Sequence, residues 1–220
     1  MKIYCLNLER ATERRKMIEE EWIKKHGFNI EFFKAFDRRA LENGNYIFPY
    51  DEEKTIKLIK RPLSEGEIAC ATSHILLLKH ALEMGYDEIV VMEDDIRPTE
   101  FTSVIAMENA IATCKKEFPH SNVLIMHHDD GRAKTIESKG GINLLSFPPY
   151  GYRLVWLNKK AMKQLIQDLG TMSYPADCLW ILRFVPMRTL SMTEKPLGFG
   201  DAMQSYIGGQ YRKGNSILIP

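Results

Sequence analysis

The amino-acid sequence predicts an α/β fold, a mostly parallel central sheet flanked by helices, in one domain spanning residues 1–220. Three observations predict it. Strand-like and helix-like segments alternate from the amino terminus, as they do where helices carry the chain between parallel strands. The apolar, β-branched run Ile89-Val90-Val91-Met92 is short and ends in Glu93-Asp94-Asp95, so it reads as a buried strand closed by an acidic turn. Ahead of it, Ser64-Glu65-Gly66-Glu67 has the spacing of a capping box, Ser and then Glu three residues on, which opens a helix.

Ile3 to Leu8 is the first predicted strand. Thr12 to His26 carries Met17, Ile18, Trp22 and Ile23 at helical spacing with charges between them, and Gly27 closes it. Ile30 to Phe36 is apolar and aromatic, a second strand. Arg38 to Arg61 reads as irregular, interrupted by Asn43-Gly44-Asn45 and Pro49. The capped helix runs to about Met84, with Ile68, Ala71, Ile75, Leu78 and Leu82 on its apolar face and His74 at the same spacing. Gly85-Tyr86-Asp87 ends it and feeds the acidic strand, after which Thr99 to Lys116 is helical. Asn122 to Met126 is a strand ending in His127-His128-Asp129-Asp130-Gly131, and the polar segment to about Gly141 reads as a loop. Leu154 to Leu157 is a strand and Asn158 to Leu169 a capped helix. Leu179 to Val185 reads as a short buried helix, and Lys195 to Pro220, rich in Gly, as irregular.

Composition narrows the function classes. With 30 Lys and Arg against 29 Asp and Glu, the charges nearly cancel, which argues against bulk nucleic-acid binding. No stretch reaches the length of a transmembrane helix, and Met1-Lys2-Ile3-Tyr4-Cys5 has no signal-peptide apolar region. Cys5, Cys70, Cys114 and Cys178 are dispersed and form no CxxC pair, so the expectation is free thiols in a reducing cytoplasm, with at most peripheral contact with the inner face of the membrane.

Three carboxylates at a strand's carboxyl end repel one another unless something positive neutralises them. In open α/β sheets that edge is where ligands bind. A Mg²⁺ or Mn²⁺ ion bridging a phosphorylated ligand accounts for both facts, because hard cations prefer carboxylate and phosphate oxygens. The other reading is an acidic turn whose Asp caps the next helix.

The block Leu63-Ser64-Glu65-Gly66-Glu67-Ile68-Ala69-Cys70-Ala71-Thr72-Ser73-His74, followed by an apolar strand ending in Glu93-Asp94-Asp95, resembles glycosyltransferase family 25. That family includes bacterial lipopolysaccharide and lipooligosaccharide galactosyltransferases and the collagen galactosyltransferases. Asn7-Leu8-Glu9-Arg10-Ala11-Thr12-Glu13-Arg14-Arg15 is similar to its opening turn, N-L-x-R-x-x-x-R-R. Asn158-Lys159-Lys160-Ala161, Leu165 and Pro175-Ala176-Asp177 are similar to its later blocks. The central block is specific, whereas the later ones are weak taken singly.

The resemblance implies a GT-A-like, nucleotide-sugar-dependent enzyme, with UDP-galactose the commonest donor. The donor would bind in roughly residues 1–130 and the acceptor in roughly 131–220. Glu93 and Asp95 are spaced to approach one Mn²⁺ or Mg²⁺ from a turn, as in D-x-D-type motifs, with Asp94 facing donor sugar or ribose. Asn7, Arg10, Arg14 and Arg15 follow the first strand, where a nucleotide is expected, and an arginine there can meet the diphosphate. Arg14 and Arg15 each have the alternative of a solvated helix face paired with Glu13 or Glu19. Ser73 and His74 are donor-side candidates, though His74 also fits a core histidine and Glu67 is first a cap. Asp177 is the candidate base, or an acceptor-binding carboxylate, or the cap of the next helix. Of His127-His128-Asp129-Asp130, at most one histidine faces a given site, because neighbours on a strand point to opposite faces. Arg153 and Trp156 depart from the family's pattern and would suit an anionic group and a sugar face.

The expected function is therefore metal-dependent transfer of a sugar, galactose from UDP-galactose, to a lipooligosaccharide, lipopolysaccharide or other glycan or glycolipid acceptor, with inversion. Two other classes use the same features. A Mg²⁺-dependent phosphotransferase or phosphohydrolase also keeps carboxylates at a strand end, but the G-x-x-x-x-G-K-[ST] loop is absent and the first strand ends in Asn7 rather than a nucleophilic Asp. A noncatalytic nucleotide-sugar-binding module is the third.

Overall fold

A computed structural model describes residues 1–41, 46–128, 133–148, 151, 153–176 and 187–200. Strand β1 (Lys2–Asn7) leads into helix α1 (Thr12–Ile18), which continues as a π-helical stretch, Glu19–Lys24. Strand β2 (Ile30–Lys34) follows, then a 3₁₀ turn (Arg38–Leu41) and helix α2 (Glu52–Ile59). Helix α3 (Glu65–Glu83) precedes β3 (Glu88–Glu93), and β4 (Ile96–Pro98) leads to α4 (Val104–Glu117) and β5 (Val123–Ile125). The hairpin β6 (Lys134–Lys139) and β7 (Ile142–Phe147) comes next, then β8 (Leu154–Asn158), α5 (Lys159–Leu169), β9 (Leu190–Thr193) and β10 (Gly198–Gly200).

Eight of these strands form one sheet in the order β2-β1-β3-β8-β5-β9-β7-β6. Six point the same way, while β8 and β7 run against them. The mostly parallel sheet flanked by helices is thus present, with two reversed strands inserted. Reversal of β8 has a direct consequence: Met92 of β3 pairs with Leu154, so the beginning of β8 meets the carboxyl end of β3.

Side chains alternate across this sheet as the pleat requires. Tyr4, Leu6, Val91 and Leu157 pack on one face beneath Ile68, Ile75 and Leu78 of α3 and Leu165 of α5. Ile3, Cys5, Val90 and Trp156 pack on the other beneath Met17, Ile18 and Trp22 and, on α4, Met107 and Ile111. Burying each such aliphatic side chain contributes roughly 1.5–3 kcal/mol, so truncating Ile75, which has no exposed surface, would cost about 2–5 kcal/mol. Trp22 adds a specific tie: its indole N–H donates to the Ile96 carbonyl at 3.0 Å, joining the π-helical stretch to the chain just past the acidic turn.

The expected caps form. Ser64 accepts from the Glu67 N–H while Glu67 reaches back to the Ser64 N–H, and Asn158 accepts from the Ala161 N–H at the start of α5. Other expectations change. The stretch 38–61, read as irregular, contains α2, capped by Asp51 and closed by Lys60 in the left-handed region (φ 62°). The loop expected to about Gly141 is the exposed strand β6, turned into β7 through Gly140 and Gly141, both at positive φ. The helix after the acidic strand begins at Val104 with Ser103 as its cap, not at Thr99. Gly198–Gly200, expected to be irregular, pairs with β4. The helix expected at 179–185 lies outside the described residues.

Candidate functional site

The parallel ladder between β1 and β3 sets Leu6 beside Glu93, so the two strands end together and their following turns face each other. Glu93, Asp94 and Asp95 leave the edge of β3 in three different directions. Asp94 turns inward. Its Oδ1 accepts from the Arg14 guanidinium at 2.7 Å and its Oδ2 from the Asn7 side-chain amide at 2.8 Å. Asn7 also donates to the Ala11 carbonyl at 3.3 Å, so it fastens both the start of α1 and the acidic turn. Burial raises the Asp94 carboxyl, and the Arg14 bond opposes that shift.

Glu93 and Asp95 are placed differently. Asp95 Oδ1 is buried and has no hydrogen-bond partner among the described residues. Glu93 keeps 23% of its side-chain surface, yet protein atoms surround its carboxyl closely. That burial, followed by the charge of Asp95, pushes its pKa up to about 8, while Arg153 pulls the other way. His74 Nε2 lies 3.5 Å from Glu93 Oε1, and His74 itself is 1% exposed. An orphaned carboxylate oxygen beside a carboxylate held near neutrality is an electrostatic deficit that one divalent cation would remove. The donor set, oxygen atoms of Glu93 and Asp95, fits a hard cation such as Mn²⁺ or Mg²⁺.

These groups line a cleft whose walls include Arg10, Arg14, Ser73 and His74, with the small residues Gly66 and Ala69 of α3 along one side. Arg10 stands at the rim and donates to Asp37 at 2.7 Å. Hydrogen bonds from Arg39, together with Arg10, hold the Asp37 carboxyl well below the usual range.

Several expected site residues take other parts. Arg15 faces outward, donating to Glu19 at 3.0 Å and stacking over the Phe32 ring at 4.2 Å, which removes it from the cleft. Both oxygens of Asp94 are taken by Arg14 and Asn7, so Asp94, Asn7 and Arg14 act together as the anchor of the acidic turn rather than as three free contacts. Ser73 lines the cleft, but its hydroxyl donates to the Ala69 carbonyl at 2.7 Å and accepts from the Phe36 N–H at 2.8 Å. It ties α3 to the chain leaving β2. Trp156 is 2% exposed and its indole donates to Glu88, so it offers no face to a sugar. His127 is buried and His128 exposed, the opposite facing expected of strand neighbours. Asp129, Asp130 and Asp177 lie outside the described residues.

One participant was not assigned to this edge from the sequence. Arg153 precedes β8, whose reversed direction brings it across from Glu93, where the Glu93 N–H donates to the Arg153 carbonyl at 2.9 Å. Its guanidinium fits a slot made by two glycines. A Cβ on Gly200 would lie 2.6 Å from Arg153 Nε, and one on Gly151 3.2 Å from a terminal nitrogen. The one signal in the sequence was its departure from the pattern expected at that position.

Residues 1–140 match the sequence model described as glycosyltransferase family 25 (LPS biosynthesis protein). A protein of Aedes aegypti named glycosyltransferase 25 family member is 35% identical over 106 residues, covering 43% of this chain and 16% of that protein. A Haemophilus influenzae relative is 38% identical over 93 residues, covering 42% of this chain and 32% of its own length. Procollagen galactosyltransferase 2 of Mus musculus is 26% identical over 106 residues, covering 43% of this chain and 16% of the mouse protein. The chain therefore spans well under half the length of these relatives.

Proposed function

Because the chain belongs to glycosyltransferase family 25, we propose that it is a GT-A-like, metal-dependent enzyme that transfers galactose from UDP-galactose to a glycan or glycolipid, such as lipooligosaccharide or lipopolysaccharide, with inversion. The observation that carries this reading is the acidic turn at the end of β3, where Asp95 presents a buried oxygen without a hydrogen-bond partner among the described residues, beside the neutralised carboxyl of Glu93. Galactose as the donated sugar is supported by the similarity to a mouse protein named a galactosyltransferase.

Glu93 and Asp95 would hold Mn²⁺ or Mg²⁺, which supplies positive charge for a leaving diphosphate. The chain's own residues do the rest. Arg14 and Asn7 fix Asp94 and so keep the turn from swinging away from the strand end. Arg10 in the cleft wall and Arg153 close to Glu93 supply positive charge near the acidic turn, favourable to a diphosphate. An inverting transfer needs a base on the face opposite the leaving group, to take the proton of the acceptor hydroxyl as oxygen bonds to the sugar's anomeric carbon. Asp177 is the candidate for that proton.

Among the described residues no helix is long and apolar enough to cross a membrane. A cytoplasmic enzyme working at the inner face of the membrane is the corresponding proposal for location. The phosphotransferase alternative is weakened by Asn7, whose side chain closes the end of β1 on Asp94 where a nucleophilic carboxylate would be needed.

Calorimetry of UDP binding tests the proposal. Affinity should be higher with Mn²⁺ than with EDTA, and Asp95→Ala should abolish the difference. UDP binding that is indifferent to metal and unchanged in Asp95→Ala would overturn the metal-site assignment. An α-linked product from UDP-galactose, read by NMR, would overturn inversion.

A further inference from the structure

The wall of the cleft formed by α3 carries donors of a different chemical character from the acidic turn. Cys70 and His74 are four residues apart on α3 and so project from one face of the helix. Glu93 reaches toward them from the end of β3. One ligand atom from each of Cys70, His74 and Glu93 lies within 4.8 Å of the other two, and all three residues line the cleft. Thiolate, imidazole and carboxylate together make a donor set suited to a borderline cation rather than to Mg²⁺. Three protein ligands with a fourth position facing a cleft is also the arrangement of an open zinc site.

We propose that Cys70, His74 and Glu93 form a three-ligand site for Zn²⁺ or Co²⁺, open to the cleft and distinct in donor chemistry from the Glu93–Asp95 pair. The inference goes beyond sugar transfer and does not depend on it. Atoms bound tetrahedrally to one zinc sit about 3.3–3.8 Å apart, given metal–ligand distances of about 2.0–2.3 Å. The His74–Glu93 pair already lies within that range at 3.5 Å, and the pairs to Cys70, within 4.8 Å, close by at most about 1.5 Å, a change within reach of a side-chain rotation at half-buried Cys70. Coordination displaces the Cys70 thiol proton and the proton carried by the Glu93 carboxyl to solvent, leaving a metal-bound thiolate and carboxylate. Because Glu93 belongs to both donor sets, a cation seated on Cys70 and His74 withdraws it from Asp95. Zn²⁺ would then act as an antagonist of a harder cation at the acidic turn.

Cobalt titration of the intact protein tests this without reference to activity. Cys5 and Cys114 are fully buried, which leaves Cys70 as the reachable thiol among the described cysteines. Co²⁺ should produce a thiolate-to-cobalt charge-transfer band in the near ultraviolet, and Zn²⁺ should displace it. The band should disappear in Cys70→Ser, weaken at least tenfold in apparent affinity in His74→Gln, and persist in Asp95→Ala. As a check that needs no variant, Zn²⁺ should slow alkylation of Cys70 in the wild-type protein at least tenfold, followed by peptide mass spectrometry. No band in the wild type, a band surviving in Cys70→Ser, or unprotected Cys70 would each overturn the proposal. Metal-independent UDP binding, unchanged in Asp95→Ala, with an intact cobalt band would overturn the Glu93–Asp95 metal assignment alone.

Discussion

Replacing Arg14 with Met probes the anchor of the acidic turn, because it removes the charge while keeping most of the side chain's volume. The Arg14–Asp94 ion pair is 2.7 Å long, with each side chain 9% exposed. Removing one member of such a pair costs about 3–5 kcal/mol, mostly because the other charge is left buried without compensation. Asn7 still donates to the second Asp94 oxygen, so the lower end, about 3 kcal/mol, is expected. For a chain of this size that lowers the melting temperature by roughly 6–12 °C. Asp94→Asn strands the Arg14 charge in turn and, although its amide oxygen can still accept from Arg14, turns an N–H₂ group toward the Asn7 donor, so a loss of similar size is expected. The informative measurement is the double variant Arg14→Met/Asp94→Asn, followed by urea denaturation and circular dichroism. With the stranded charge gone, it should recover part of the Arg14→Met loss, giving a coupling of about 1–3 kcal/mol. A loss below about 1 kcal/mol for Arg14→Met, or single effects that merely add, would refute the reasoning.

Three further outcomes are expected. Burial alone would raise the Glu67 carboxyl, but Arg61 and the Ser64 bonds outweigh it and hold its pKa below the ordinary value. Its stabilising contribution is therefore full above the unfolded pKa of about 4.3 and is lost as pH falls through the lower folded value. Glu67→Gln should destabilise the protein near neutrality and narrow its gap from wild type in acid, read from denaturation at several pH values. Gly198→Ala should cost about 1–3 kcal/mol by calorimetric melting, because the added Cβ would lie 2.7 Å from Ile96 Cγ1 in the core. Asp177→Asn should lower turnover about 10²–10⁴-fold while leaving UDP affinity near wild type, and near-normal turnover would reduce Asp177 to a helix cap.

Much of this site could be read in the sequence because its signals are local. Capping at Ser64 and Glu67, the apolar run before Glu93 and the cap at Asn158 each follow from neighbouring residues alone. Strand β6 was illegible for the opposite reason. Each of its residues is exposed, so it has no buried face to impose an alternating pattern, and only the Gly140-Gly141 pair marked the hairpin. Helix α2 was hidden by the surrounding turn residues, although Asp51 is a good cap. The site's harder features are pairings across long separations. Nothing local says that Asn7 will spend its amide on Asp94, 87 positions away, or that Ser73 will hold Phe36. Placing Arg153 beside Glu93 needed the direction of β8, which follows from how the whole sheet is assembled.

The bond from Trp22 to Ile96 gives the molecule an optical handle on its own site. An indole whose N–H is fixed to the residue immediately after Asp95 has an emission spectrum set partly by where that residue stands. The chain contains three tryptophans, and Trp156 and Trp180 can be replaced by Phe to leave Trp22 as the single emitter. Any occupant that draws the acidic turn inward moves the Ile96 carbonyl relative to the ring, and the change is registered as light rather than as product. Binding at the turn can thus be followed in real time, ligand by ligand, before an acceptor has been identified.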